Sequence, residues 1–470
     1  MADPAPLWTS SEIEAATGGR LEGAPFESNG ISIDSRSVEA GDLFVALAGE
    51  RDGHEFIDGA LGKGAAGSLA NKSGAGSRII VPGDTLMALE AMGAAARERA
   101  TAAKRGAVTG SVGKTSLTQA IKLGLEMAGP AHGSVKSYNN HIGVPLTLAR
   151  MPRDTRRAIF EIGMNHADEI RPLARMVRPH AVAVSTVGPV HTENFPDGEL
   201  GVARAKAEIF AGLEPGGAAV LNADNHWFEL LKDEAHAAGA RLLTFGSGEG
   251  CDARLTGFRA TNQGAEVSAT LHGKAMTFPI RQSGAHWGLN SLAVLLMLEE
   301  LDIDLDTALA ALAAFAPLAG RGAERTIAAP AGAFVLIDES YNANPVSLQA
   351  AFHTLGTRAA KGRRIAVLTD MLELGPEAEH FHAQGAGMAV RAGVDLVFCA
   401  GPLMKFLWDA LPPTRRGGYA LTAADLAPLV VQGVGAGDVV MVKGSNGSKA
   451  SAVAAALAAL DCVDGAGARG

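Results

Sequence analysis

The segment Val108-Thr109-Gly110-Ser111-Val112-Gly113-Lys114-Thr115 limits what this chain can become more than any other part of it. Gly106 to Thr109 reads as a buried strand and the residues after Lys114 as a helix, so the glycines fall at a strand-to-helix turn. There, glycines let successive backbone N–H groups face phosphate oxygens, and the helix N-terminus adds the positive end of its dipole. Lys114 can neutralise terminal phosphates and the Thr115 hydroxyl can ligate magnesium. A nucleoside triphosphate, ATP or GTP, is the implied ligand, held by Thr109, Gly110, Ser111, Val112, Gly113, Lys114, Thr115 and Ser116. Strict GxxxxGK[ST] spacing would place glycine at Val108, so this is a TGSxGKT variant. The chain has no NKxD motif to read guanine and no LSGG-like transporter signature, which argues against a GTPase and a transporter ATPase.

Around that loop the pattern is strand then helix, repeated. Strands are expected at Gly106 to Thr109, Ala158 to Ile162, His180 to Val187, Ala218 to Asn222 and Arg241 to Phe245, which implies a parallel sheet covered by helices. Arg254 to Ile280 alternates apolar and polar residues, as antiparallel strands appended to that sheet would. Helices are expected at Leu289 to Leu301 and Leu305 to Phe315, and Pro317-Leu318-Ala319-Gly320 signals a boundary. Before the loop, short strands (Ile31 to Ile33, Leu43 to Leu47, Arg78 to Val81) and a helix from Thr85 to Ala100 form a small α/β unit. After the boundary, strands at Phe334 to Asp338, Arg364 to Thr369, Val394 to Cys399 and Asp438 to Val442 alternate with helix-length segments, the pattern of a Rossmann-like unit. The expected fold class is α/β in three domains: 1–103, small and N-terminal; 104–317, the central P-loop parallel-sheet domain; and 318–470, C-terminal and Rossmann-like. A chain of 470 residues exceeds what one core organises, which agrees.

With 47% apolar and 19% charged residues the chain can bury full cores and is expected to be globular throughout. A net charge of -9 disfavours nucleic acid and anionic membrane as partners. No apolar run approaches the roughly 20 residues of a membrane-spanning helix, so no membrane insertion is expected. The start, Met1-Ala2-Asp3-Pro4-Ala5-Pro6-Leu7-Trp8, lacks a basic region and an apolar stretch, so a cytoplasmic location is expected. Cys251, Cys399 and Cys462 are widely spaced and odd in number, which argues against disulfides or zinc and for buried free thiols.

Further segments, spread over almost the whole chain, resemble the Mur ligase family. They include Ile33-Asp34-Ser35-Arg36, Gly41-Asp42-Leu43-Phe44-Val45-Ala46-Leu47 and Asp52-Gly53-His54-Glu55-Phe56, then Asn139-Asn140-His141-Ile142-Gly143-Val144-Pro145 and Glu161-Ile162-Gly163-Met164-Asn165-His166. Ser340-Tyr341-Asn342-Ala343-Asn344-Pro345, Asp370-Met371-Leu372-Glu373-Leu374-Gly375 and Val442-Lys443-Gly444-Ser445 resemble the branch that adds D-alanyl-D-alanine. The YAHTP and DNPR signatures of the relative that adds the third residue are absent. The resemblance implies an ADP-forming ligase of peptidoglycan synthesis. It would join D-alanyl-D-alanine to UDP-N-acetylmuramoyl-tripeptide through an acyl phosphate, using ATP and Mg2+, and act as a monomer.

The resemblance also implies residue roles. Glu161, at a strand end, and His191, in the loop after the next strand, would be metal ligands, joined by Thr115 and by Lys206 if it is carbamylated. Lys114, Lys206, Glu161 and His191 form the implied catalytic set. On sequence alone His191 reads as a solvated loop residue and Lys206 as a helix-surface lysine. His286, Asn290, Arg321 and Glu339 would contact the nucleotide. Trp287 stands where the family commonly has asparagine, and Glu339, preceded by Asp338, where it usually has aspartate, so either carboxylate could serve. Ser35, Arg36, Asn139, Asn140, Asn342, Asn344, Lys443 and Ser445 would lie near the UDP-sugar, peptide or dipeptide. The third unit would close on the second.

Overall fold

The computed structural model describes residues 5–135, 137–261, 263–330 and 332–461. Its centre is a nine-stranded sheet in the order Lys274–Ile280, Gly264–Leu271, Ala253–Thr261, Arg241–Gly246, Ala218–Asn222, Ala181–Val184, Lys104–Thr109, Arg157–Glu161 and Ala131–Gly133. The strands from Ala131–Gly133 through Ala253–Thr261 run parallel, and the last two form an antiparallel meander on that edge. Composition explains the parallel part. Ala181–Val184 (AVAV) and Ala218 to Leu221 are buried at every position, as strands covered on both faces must be.

One face of this sheet packs on helix His286–Glu300, which is buried continuously from Ser291 to Leu298 and therefore reads as apolar all round rather than amphipathic. Trp287 belongs to this packing, with its ring centroid 5.5 Å from that of Phe315 and 4% of the residue exposed. The chain leaves strand Lys104–Thr109, travels to one side through Ala131–Gly133 and Arg157–Glu161, then crosses to Ala181–Val184 on the other. Strand order therefore reverses around Lys104–Thr109. Ligands of open α/β sheets bind in the crevice beyond the strand carboxyl ends at such a reversal.

Two further sheets flank the centre. A five-stranded sheet comprises Arg20–Glu22, Arg78–Ile80, Gly67–Ala70, Asp42–Val45 and Gly30–Ser32 in spatial order. It docks on the central unit where Trp8 Nε1 donates to Ala149 O at 2.8 Å and Arg150 Nε donates to Ile31 O at 2.8 Å. A six-stranded sheet has the order Ala323–Ala329, Gly332–Glu339, Val439–Lys443, Arg364–Thr369, Leu396–Ala400 and Arg416–Ala420. All its pairings are parallel except that of the first hairpin. Strands Arg20–Glu22, Gly67–Ala70, Ala131–Gly133, Ala323–Ala329 and Arg416–Ala420 add to those expected from sequence.

The cysteine expectation needs one correction. Cys399 is a buried free thiol in strand Leu396–Ala400, but Cys251 is only half-buried, because it sits in the turn between two strands with its Sγ over Gly246. Cys462 lies outside the described residues. No described helix is long and apolar enough to cross a membrane.

Candidate active site

The phosphate loop is built for backbone exposure. Gly110 has φ +146, and a Cβ there would lie 2.0 Å from Ser185 Oγ, so only glycine fits. Gly113, at φ +87, precedes helix Lys114–Met127, whose N-terminus carries no side-chain cap. Its first N–H groups are thus left for an anion. The neighbouring strand end braces the loop: Ser111 N donates to Thr186 O at 2.7 Å, Ser111 Oγ donates to Gly188 O at 3.0 Å and Ser185 Oγ donates to Val112 O at 2.6 Å. Lys114 Nζ donates to Gly110 O at 2.6 Å.

This loop opens into a cleft of about 390 Å³ between the nine- and six-stranded sheets. From the central unit the cleft receives Ser111 to Ser116, Asn139, Asn140, Glu161, His191, His286 and Asn290; from the third it receives Arg321, Glu339, Asn342, Asn344 and Lys443. Glu161 is 1% exposed: Oε1 accepts from Asn139 Nδ2 at 2.7 Å, while Oε2 is buried without a hydrogen-bond partner. Burial pushes Lys114 below the usual lysine range; Glu161 opposes that shift and Arg321 adds to it. Burial, then the nearby Lys114 and Lys206, brings His191 down to about 4, so its ring is neutral at pH 7. Burial also lowers His286, against the pull of Glu339.

Lys206 is 1% exposed and is not the surface lysine its helix position suggests on sequence alone. It lies behind the cleft lining, where burial first and the Lys114 charge second hold its amine far below the ordinary lysine pKa. Two residues on, Glu208 anchors the same segment, with Oε1 accepting from Asp168 N at 2.7 Å and Oε2 from Arg171 N at 3.0 Å.

Geometry separates the two candidate carboxylates before Ser340. Asp338 holds the turn, accepting from Gly320 N at 3.1 Å and from Ser340 Oγ at 2.5 Å. Glu339 lines the cleft, with Oε2 3.4 Å from Lys443 Nζ. Arg321 reaches the cleft because the Leu318–Gly320 turn closes behind it. Its guanidinium lies 3.9 Å over the Tyr341 ring, and Nη2 donates to Ser137 Oγ at 3.3 Å.

Several expected residues take other positions. Thr109 and Gly110 form the base of the loop rather than the cleft lining. Ser445 is buried and structural, its Oγ accepting from Leu372 N at 3.0 Å. Asn344 caps helix Pro345–Thr357, accepting from Ser347 N at 2.9 Å, as well as facing the cleft. Ser35 and Arg36 are not brought to this cleft: they follow strand Gly30–Ser32, where Arg36 is exposed and pairs with Asp34 at 2.7 Å. Sequence reasoning gave no role to Ser137, Tyr341 or Glu169, all of which line the cleft. Tyr341 lies within the Ser340 to Pro345 segment that resembles the family, while Ser137 and Glu169 stand in no motif that marks them.

Three family models match the chain in succession: the Mur ligase family catalytic domain over residues 27–105, the Mur ligase middle domain over 108–298, and the Mur ligase glutamate ligase domain over 325–446. The UDP-N-acetylmuramoyl-tripeptide–D-alanyl-D-alanine ligase of Escherichia coli is 33% identical over 397 residues, 84% of this chain and 86% of that one. The enzyme of that name from Rickettsia prowazekii is 29% identical over 447 residues, 94% and 98% of the two chains. A crystal structure of MurF from Acinetobacter baumannii matches with a TM-score of 0.84 at 25% identity, covering 96% of this chain and 99% of the other. A 33% identical relative covered over 86% of its length, together with three consecutive domain matches, shows that this chain belongs to the Mur ligase family and is of the MurF type.

Proposed function

We propose that this chain joins D-alanyl-D-alanine to UDP-N-acetylmuramoyl-tripeptide at the expense of ATP, giving the pentapeptide precursor, ADP and phosphate. The observation that carries this reading is the single cleft in which Lys114, Glu161 and His191 of the central unit face Arg321 and Glu339 of the third. In the first step the peptide carboxylate attacks the γ-phosphorus of ATP and ADP leaves, forming an acyl phosphate. In the second the dipeptide amine attacks the acyl carbon, phosphate departs and the amine loses a proton. Both steps crowd anions together, so positioned cations and N–H groups should dominate the rate.

Placement in the cleft supports the following roles. The loop N–H groups and Lys114 hold the β- and γ-phosphates, and Arg321 reaches the same charge from the third unit. Glu339, which lines the cleft beside Lys443, meets the nucleotide ribose rather than Asp338, which is held in the turn by Gly320 and Ser340, while His286 and Asn290 line the adjoining wall. Asn139, Asn140, Asn342, Asn344 and Lys443 are the polar groups available to the peptide and the incoming dipeptide. Residues 1–103 would hold the UDP-sugar with Ser35 and Arg36, 104–317 the nucleotide, and 318–470 the dipeptide. Seating the third unit on the second excludes water, which protects the acyl phosphate from hydrolysis.

A magnesium ion fits this end of the cleft. Glu161 Oε2 is a buried carboxylate oxygen without a hydrogen-bond partner, placed to ligate a cation, and the Thr115 hydroxyl and His191 line the same cavity. Among the described residues no group of three or more His, Cys, Asp or Glu could enclose a metal alone, which suits an ion that takes its remaining ligands from phosphates and water. When bound, the ion would neutralise phosphate charge. Lys206 has an attribute that favours carbamylation, an amine whose protonated form is disfavoured by burial and by the Lys114 charge. Its reaction with CO2 would release one proton and leave an anionic oxygen pair near Lys114.

Incubating the purified chain with ATP, magnesium, UDP-N-acetylmuramoyl-tripeptide and D-alanyl-D-alanine tests this reading. Pentapeptide and phosphate should appear in equal amounts, and free amino acids in place of the dipeptide should give neither.

A further inference from the structure

The loop Asp370 to Gly375 resembles a motif of the MurF branch, yet it is not among the residues that line the cleft. Its backbone is pinned from inside the third unit. Asp370 Oδ1 accepts from Met404 N at 2.8 Å, Met371 N donates to Nε2 of the fully buried His382 at 3.0 Å, and Leu372 N donates to Ser445 Oγ at 3.0 Å. The next three residues face the central unit. Glu373 Oε2 lies 2.6 Å from His191 Nδ1, Leu374 O accepts from Thr192 Oγ1 at 3.2 Å, and Gly375 packs so closely on Glu193 that a Cβ would lie 3.1 Å from its Cα.

Both members of the closest pair adopt a backbone that non-glycine residues seldom take, with φ +64 at Glu373 and +53 at His191. Such geometry persists only when the surroundings hold it. His191 Nδ1 is buried and makes no hydrogen bond of good geometry; the Glu373 carboxylate, 2.6 Å away in a contact that a small turn of the imidazole would align, is the group placed to receive its proton. The Glu373 side chain is 54% exposed, so the contact adds little to stability. What a carboxylate on one ring nitrogen does supply is direction: it fixes the tautomer and turns the other nitrogen outward.

We propose that Glu373 is a positioning residue: delivered by the third unit, its carboxylate holds Nδ1 of His191 and so presents Nε2 to the cleft only when the two units are seated together. Domain closure thereby completes the site through His191 as well as through Arg321. The proposal rests on the assignment of His191 to the ligation reaction.

Glu373→Ala and Glu373→Gln are made alone and with His191→Ala, and kcat and KM are measured for each substrate. Glu373→Ala should lower kcat about 10-fold with KM for ATP unchanged, while Glu373→Gln, which keeps an acceptor oxygen, should retain most of the activity. In the His191→Ala background the Ala change should have no further effect. Ring 15N spectra of labelled histidine, with His191 assigned by its loss in His191→Ala, give a readout independent of turnover. Wild type should show one Nδ1–H tautomer, and Glu373→Ala a mixture. An unchanged His191 signal in Glu373→Ala, or an equal loss of kcat with and without His191, would overturn the proposal. Full activity of His191→Ala would instead remove the role of His191 and leave the tautomer measurement to judge Glu373.

Discussion

The hydroxyls of Tyr341 and Ser137 lie 2.9 Å apart although 204 positions separate them, and Ser137 Oγ also stands 3.2 Å from Thr115 Oγ1 and 3.3 Å from Arg321 Nη2. Tyr341 and Arg321 both donate to Ser137, which leaves the serine's own proton for Thr115. A hydroxyl of the central unit therefore ties the phosphate loop to the third unit. A net hydrogen bond is worth about 1 kcal/mol, so Ser137→Ala should lower kcat roughly 5-fold, and Tyr341→Phe should cost no more. Because the two act through one atom, the double variant should lose no more than Ser137→Ala alone, as a double-mutant cycle on kcat would show.

Lys114→Ala should lower ATP-dependent ligation by roughly 100-fold or more with the fold retained. Burial already disfavours the charge at this position, and Glu161, which loses a nearby cation, keeps its hydrogen bond from Asn139. Phosphate release and far-ultraviolet circular dichroism measured on the same preparation check both halves.

Gly110→Ala meets both the φ of +146 and the Ser185 hydroxyl. It should cost about 1–3 kcal/mol of stability and weaken ATP binding, measured by urea unfolding and nucleotide titration. Adding Ser185→Ala should not restore the loss, because the backbone conformation remains strained.

Asp338 and Glu339 should part company. Asp338→Asn weakens the acceptor that holds Gly320 and Ser340 and should lower Tm. Glu339→Gln should raise KM for ATP and lower Tm less than Asp338→Asn, since its amide oxygen can still accept from Lys443.

Acid should destabilise the protein partly through His132, whose Nε2 lies 2.7 Å from Thr147 O. Burial brings its pKa down from 6.5 to about 4. The unfolded chain thus binds this proton below pH 6.5 while the folded one stays neutral, so the stability contributed is full above 6.5, falls as pH drops and is gone below about 4. The loss is on the order of 3 kcal/mol. His132→Asn should flatten the urea midpoint between pH 6.5 and 4; a slope parallel to wild type would refute the assignment.

Buried parallel strands could be read directly because their covered positions must be apolar, as in Ala181–Val184 and in Val439 to Val442 of the strand that ends at Lys443. Ala323–Ala329 could not, since only Ile327 along it is buried, and Arg416–Ala420 is interrupted by Gly417-Gly418. The phosphate loop is legible because its chemistry is contiguous in sequence. Convergence of Ser137 on Tyr341, or of His191 on Glu373, depends on how two sheets meet, and no local pattern encodes that. Lys206 shows the same limit: its helix does not announce that this position faces inward, and the interior is what changes its chemistry.

The most direct measurement is ATP consumption by the purified chain with UDP-N-acetylmuramoyl-tripeptide and D-alanyl-D-alanine, each omitted in turn. One ADP, one phosphate and one pentapeptide per cycle, all dependent on both substrates, is the expected result. Absence of nucleotide hydrolysis with both present, or of any amide product, would contradict it.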